Sequence, residues 1–167
     1  MDHLLQLADE LQGTGLGLVI SESALAFPII EGLHLIGLSL SVGLIFLIDL
    51  RMVGLLWRRI ALTEVLAQLR PWVLAGFTLV FATGLLLFWA EAPTVIASPA
   101  FPFKLLFIAL AGANALYFEL AIASTDAVRH NQPEQPPAVR RAGLASLLLW
   151  TLVIICGRLI PYLPNWS

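Results

Sequence analysis

The sequence predicts an all-α, polytopic membrane protein: four transmembrane helices in an up-down bundle, preceded by a short amphipathic helix on the outer surface. Three observations carry that expectation. Four apolar runs, at about 28–50, 71–89, 103–123 and 142–160, each approach the ~20 residues a helix needs to cross the hydrocarbon core. Hydrophobic residues make up 59% of the 167 and charged residues only 12%, with a mean hydropathy of +0.91, a balance that would leave a small soluble domain with far too much exposed apolar surface. The ten prolines fall at the ends of the runs or between them, so none is expected to interrupt a span. Uninterrupted runs of this length exclude the short alternating segments of an outer-membrane barrel.

Residues 4–11 place Leu4, Leu5, Leu7 and Leu11 around Gln6, Asp9 and Glu10, which suits a short interfacial helix. Gly13, Gly15 and Gly17 then read as a flexible or tightly turned link. The start of the chain lacks a basic region ahead of an apolar stretch, so no cleavable signal peptide is expected and the first span acts as its own insertion signal. Pro28 opens that span; residues 51–69 read as its extension, a turn at Thr63 and an amphipathic lead-in to a second span opened by Pro71. Pro102 opens the third span, residues 130–137 form a polar loop, and Pro161 and Pro164 stop the fourth. The whole chain, 1–167, reads as one integral membrane domain without a soluble module, repeat, Walker sequence or zinc-finger spacing.

Orientation follows from the basic residues. Arg51, Arg58, Arg59, Arg70, Arg129, Arg140 and Arg141, seven of the nine Lys and Arg, flank the first and third connections, which places that side in the cytoplasm and both termini outside. Trp57 and Trp72 at the inner boundary and Trp89 and Trp166 at the outer one fit an interfacial belt, whereas Trp150 lies within a span.

Polar residues inside spans are costly in lipid, so they hold the candidate chemistry. By helical rise Glu31 lies about 5 Å and His34 about 9 Å inside the outer end of the first span, with Arg158 and Cys156 at about 5 and 8 Å. Lys104 begins the third span on that side. Glu31 and Arg158 sit at the ends that helix dipoles favour and Lys104 does not, so Lys104 calls for an anion. Two readings stay open: Glu31 pairs with Lys104 or Arg158 and pins the helices, or these groups form an outward-facing pocket for an anion, a metal, a quinone head or a proton. Glu31 and His34, three residues apart, share one face. A second, inner layer holds Asp49, Arg51, Arg70, Asn114 and Glu119. Asp49 and Glu119 approach helix C-termini and need cations, with Arg70 and Arg51 available to Asp49 and Arg129 to Glu119. Asn114 is a helix-to-helix hydrogen-bond partner or one step of a polar path.

Catalytic templates are missing: there is no His-Glu-x-x-His and no Gly-x-Ser-x-Gly, and Glu31-x-x-His34 supplies half of a di-iron carboxylate site, which only a symmetric dimer could complete. Two Met and one Cys do not suit copper transport, and Cys156 reads first as a small buried apolar residue. Pro28-x-x-Glu31-x-x-His34-x-x-Gly37, Asp49-x-Arg51-x-x-Gly54, Arg70-Pro71-Trp72, Thr83-Gly84, Pro99-Ala100-Phe101-x-x-Lys104, Asn114-Ala115, Leu149-Trp150 and Gly157-Arg158 together resemble an uncharacterised family of bacterial four-helix inner-membrane proteins, a domain of unknown function. More distantly, the early His followed by Leu-x-Gly is similar to four-helix b-type cytochromes and copper resistance protein D. The resemblance implies His in relatives where this chain has Glu119. Helical rise puts Glu119 about 24 Å from the outer end, so positions 34 and 119 cannot grip one iron. Haem b would need His34 from two subunits, His34 with Cys156, or a single axial ligand.

The leading expectation is a non-enzymatic inner-membrane protein that binds or passes a small species, protons among them, through an outer-half site: Glu31 and His34 exchange, while Lys104 and Arg158 support an anion. The alternatives are a haem or quinone-linked electron carrier, with His34 the first metal ligand and Cys156 a second, and an accessory subunit whose polar groups only hold helices together. Expected partners are the lipid bilayer and either further copies or membrane subunits, with no nucleic acid; Ser39-x-x-x-Gly43 permits close helix approach at a subunit interface.

Overall fold

A computed structural model describes residues 2–123 and 135–163. Among them the protein is helical and without strands, and four helices are long and apolar enough to cross a membrane: α3 (Ala26–Val53), α4 (Leu62–Ala90), α6 (Ala100–Tyr117, prolonged to Ile122) and α7 (Pro137–Leu159, prolonged by a 3-10 turn to Tyr162). The chain is thus an integral membrane protein of four antiparallel spans. Arg129, His130, Pro164 and Trp166, on which part of the orientation and loop expectations rests, lie outside the described residues.

Before the bundle come α1 (Asp2–Gln12) and α2 (Gly15–Glu22). The amphipathic α1 is the expected one. The second helix corrects the expected glycine link: Thr14 caps it by accepting from the Gly17 N–H, and a Cβ at Gly17 would lie within 3 Å of the Gln12 backbone, so Gly17 is there for close packing. Gln12 Nε2 donates to Ala90 O at 2.6 Å and Trp89 Nε1 donates to Thr14 Oγ1 at 2.8 Å. These bonds fasten the amphipathic pair to the end of α4, next to the short helix α5 (Ala92–Ala97).

Two boundaries differ from expectation. The first connection turns at 54–61 rather than at Thr63, because Gly54, at φ 85°, ends α3 in a left-handed cap and Leu55 N–H returns to Leu50 O at 2.8 Å. Thr63 is already inside α4. Pro71 also lies inside α4 rather than in its first turn. Proline there removes a backbone hydrogen bond, yet Leu62, Val65 and Leu66 one to three turns earlier are buried with Ile48, Met52, Phe118 and Val139, and this packing carries the helix through. The last span likewise begins earlier, at Pro137, so Arg140 and Arg141 ride on its first two turns.

Small residues set how the spans pack. A Cβ at Gly76 would lie 2.6 Å from Ser41 N, and one at Gly37 would lie 3.2 Å from Gly76 O, so α3 and α4 meet almost backbone to backbone. Gly143 does the same for α7 on α3, against Met52 Cβ and Asp49 O. The intimate pairs are α3 with α4, α3 with α7, and α6 with α7; α4 and α6 make no extensive contact. The helices therefore stand in the order α4, α3, α7, α6, and α4 and α6 lie further apart, meeting through side chains such as Phe88 and Phe101, whose rings stack 5.8 Å apart.

Candidate functional site

At the end of the bundle nearest α5, the predicted site residues are placed close in depth, with Lys104 and Glu31 both in electrostatic reach of His34, but they form no ion pair among the described residues. His34 rests on α4, where a Cβ at Gly84 would come within 3.2 Å of its Cε1, and its Nδ1 lies 2.9 Å from Thr83 Oγ1. Thr83 gives its single hydroxyl proton to Leu79 O at 2.6 Å, so it accepts from His34 Nδ1–H and leaves Nε2 with the lone pair. Lys104 lies along α7, with Nζ 3.6 Å from the position of a Cβ on Gly157, and its charge reaches both His34 and Cys156. Glu31 is exposed. Arg158 turns down its own helix to Tyr162, donating to its hydroxyl at 3.0 Å with the guanidinium 5.3 Å from the ring centre. The pairing of Glu31 with Lys104 or Arg158 is not among the ion pairs of the described residues, and Arg158 is engaged by Tyr162 instead.

Toward the 54–61 end the structure assembles something the sequence did not announce. A cleft of about 620 Å³ opens between α4 and α6, floored by α3 and α7. Leu74, Phe77, Phe81, Ile108, Phe118 and Trp150 give it apolar walls, with Phe77 and Trp150 5.2 Å apart. Its polar groups are Asp49, Arg70, Asn114, Glu119 and Ser146. From Arg70 to Phe81 along α4, helical rise gives a length of about 16 Å.

The expected pairing of charges in this layer is rearranged. Arg70 Nη2 donates to Glu119 Oε1 at 2.5 Å, the one ion pair among the described residues, and bridges the open side of the bundle. Arg70, expected with Arg51 to serve Asp49, spans to Glu119 instead, while Arg129, expected to serve Glu119, lies outside the described residues. Their side chains are 48% and 43% exposed, which puts the pair at the mouth of the cleft. Arg51 is fully buried and its Nε donates to Ile60 O at 2.9 Å, so it secures the 54–61 turn. Glu119 stands on a π-turn, Phe118–Ile122, closed by Ala123 N–H to Phe118 O at 2.8 Å. Such a turn shifts the helix register, and many mark functional sites. Asn114 Nδ2 donates to Ala142 O at 3.0 Å and links α6 to α7.

Asp49 is the unusual member. It is 3% exposed, faces Ser146 on α7, and its Oδ2 has no hydrogen-bond partner. A buried carboxylate oxygen without a partner is costly, and few survive without a reason. Gly143 explains the placement, because the tight contact of α7 on α3 at that residue brings Ser146 alongside Asp49 one turn further on.

No protein-family model, curated protein or solved structure matches this chain. The site must be read from its own chemistry. Among the described residues no three His, Cys, Asp or Glu side chains gather where they could hold a metal ion. Among the described residues no His or Cys lines this cleft, and His34 lies against Gly84 of α4. What the cleft can do is accept a molecule with an apolar body and a polar head, the body along the aromatic wall and the head at Asp49 and Ser146. Asp49, Arg70, Asn114 and Glu119 were visible in the sequence as an inner polar layer. Ser146 and Phe77 were not, since nothing in an apolar run tells which residues border a gap.

Proposed function

We propose that this is a non-enzymatic, multi-pass protein of the bacterial inner membrane that binds or passes a small amphiphilic species, and that its binding site is the cleft between α4 and α6 rather than the polar group around Glu31 and His34. The observation that carries this reading is the unpartnered Oδ2 of Asp49, buried beside a cleft with apolar walls. A bound head group that donates a hydrogen bond would satisfy that oxygen. The open side between α4 and α6 admits a molecule from the bilayer without passage through water, and the ~16 Å length suits an amphiphile lying along a membrane leaflet. The arginines that cluster at the 54–61 end support a cytoplasmic position for it, with both termini on the other side. Glu31, His34, Lys104 and Arg158 then serve to dock helices and to anchor the far end.

Gly112 offers the test. It lines the cleft, and a Cβ there would meet nothing within 4 Å, so a Gly112→Phe side chain starts without a clash and is expected to extend into the cleft. Protein purified in mild detergent is extracted and the extract analysed by mass spectrometry. A small amphiphile should accompany the wild type and fall about tenfold or more in the filled variant. Equal recovery from both, or none from either, would remove the cleft reading.

A further inference from the structure

Resting on that reading, we propose that the species taken by the cleft is a lipophilic organic cation. Three charged side chains line the cleft, Asp49, Arg70 and Glu119. Arg70 and Glu119 are joined and cancel, which leaves Asp49 as the buried acidic group of the cleft without a cation partner among the described residues. Among the described residues no Lys or Arg forms an ion pair with it, since Arg70 is held by Glu119 and the neighbour that interacts with Asp49 is the neutral Ser146. A neutral donor would satisfy the hydrogen bond of Oδ2 but not the charge; a cation answers both. The wall agrees, because Phe77, Phe81 and Trp150 border the same space and their ring faces attract cations, most strongly where water is excluded. A bare metal ion is a poor occupant, since hard cations need several oxygen ligands and most of this lining is hydrocarbon. Entry between α4 and α6 selects for a cation soluble in the bilayer. The Arg70 to Glu119 bridge stands across that entry, where it also repels a bare cation less than an isolated arginine would.

Tetraphenylphosphonium and tetraphenylborate are nearly the same size and shape and differ in the sign of charge, so together they separate charge recognition from partition into an apolar gap. The full protein, reconstituted in lipid nanodiscs, is titrated with each by equilibrium dialysis. Tetraphenylphosphonium should bind saturably at one site per chain, and Asp49→Asn should weaken it about tenfold or more, whereas Asp49→Glu, which keeps the charge, should retain it. Gly112→Phe should abolish saturable binding. Tetraphenylborate should show only unsaturable uptake, the same in all variants. Equal binding of both ions, or undiminished tetraphenylphosphonium binding in a folded Asp49→Asn variant, would overturn the proposal. So would retention of an uncharged quinol in place of the cation. In any of these cases a co-purified amphiphile that Gly112→Phe displaces would leave the cleft reading standing, and only the chemistry of its occupant would change.

Discussion

Asp49 and Arg51 sit two residues apart near the end of one helix, and both are buried, but they have opposite consequences. Arg51 faces the 54–61 turn, donates to Ile60 O and so closes the connection between two spans. Asp49 points the other way, toward α7, where Ser146 meets one side of the carboxylate and Oδ2 meets nothing. A group retained at a cost to stability is the signature of a site kept for binding, because the unmet hydrogen bond and charge are satisfied only by a ligand. Asp49→Asn is therefore expected to leave the unliganded protein as stable as wild type or to raise its stability by about 0.5–2 kcal/mol, read from thermal unfolding in detergent. A loss of about 2 kcal/mol or more would mean that Asp49 holds the fold through an ionic contact. His34 is the contrasting case: its Nδ1 lies 2.9 Å from Thr83 Oγ1 and its ring is packed on Gly84, so its imidazole is engaged by α4.

The helices differ in what their small residues do. Gly37, Ser41 and Gly76 bring α3 and α4 into backbone contact, whereas Ser39 and Gly43, one face over, are exposed and a Cβ on Gly43 would meet nothing within 4 Å. Both pairs have the spacing of close-packing motifs, and only one of them packs within the chain. Van der Waals fit is what drives helix association in lipid, so Gly76→Val should cost about 1–3 kcal/mol through overpacking against Ser41. Gly43→Val should cost almost nothing in the monomer. Unfolding of the two variants in the same detergent separates them, and equal losses would contradict the packing described. On α6, the π-turn at Phe118–Ile122 changes the register just before the span ends and accompanies the placement of Glu119 across the mouth from Arg70.

For the whole molecule, four antiparallel spans in the order α4, α3, α7, α6 enclose a space only on three sides, and the fourth opens between helices that do not touch extensively. If the arginine-rich end is cytoplasmic, a cysteine at Arg58 should react with a membrane-impermeant maleimide only after the membrane is breached, and one at Glu22 should react from outside, both in a Cys156→Ser background; the reverse pattern would invert the protein. The sequence by itself determined the class of fold, the number of spans and the two polar layers, because hydropathy and cost of burial in lipid act on each segment independently of its neighbours. It misjudged Pro71, Thr63 and the glycines at 13–17, where packing against other helices overrides the local preference of proline and glycine. Which polar groups meet was beyond it. Rotation of each span about its axis depends on contacts such as Gly143 on Met52 and Gly76 on Ser41, and these alone send Arg70 to Glu119, leave Asp49 facing a cleft, and turn Arg158 away from Glu31.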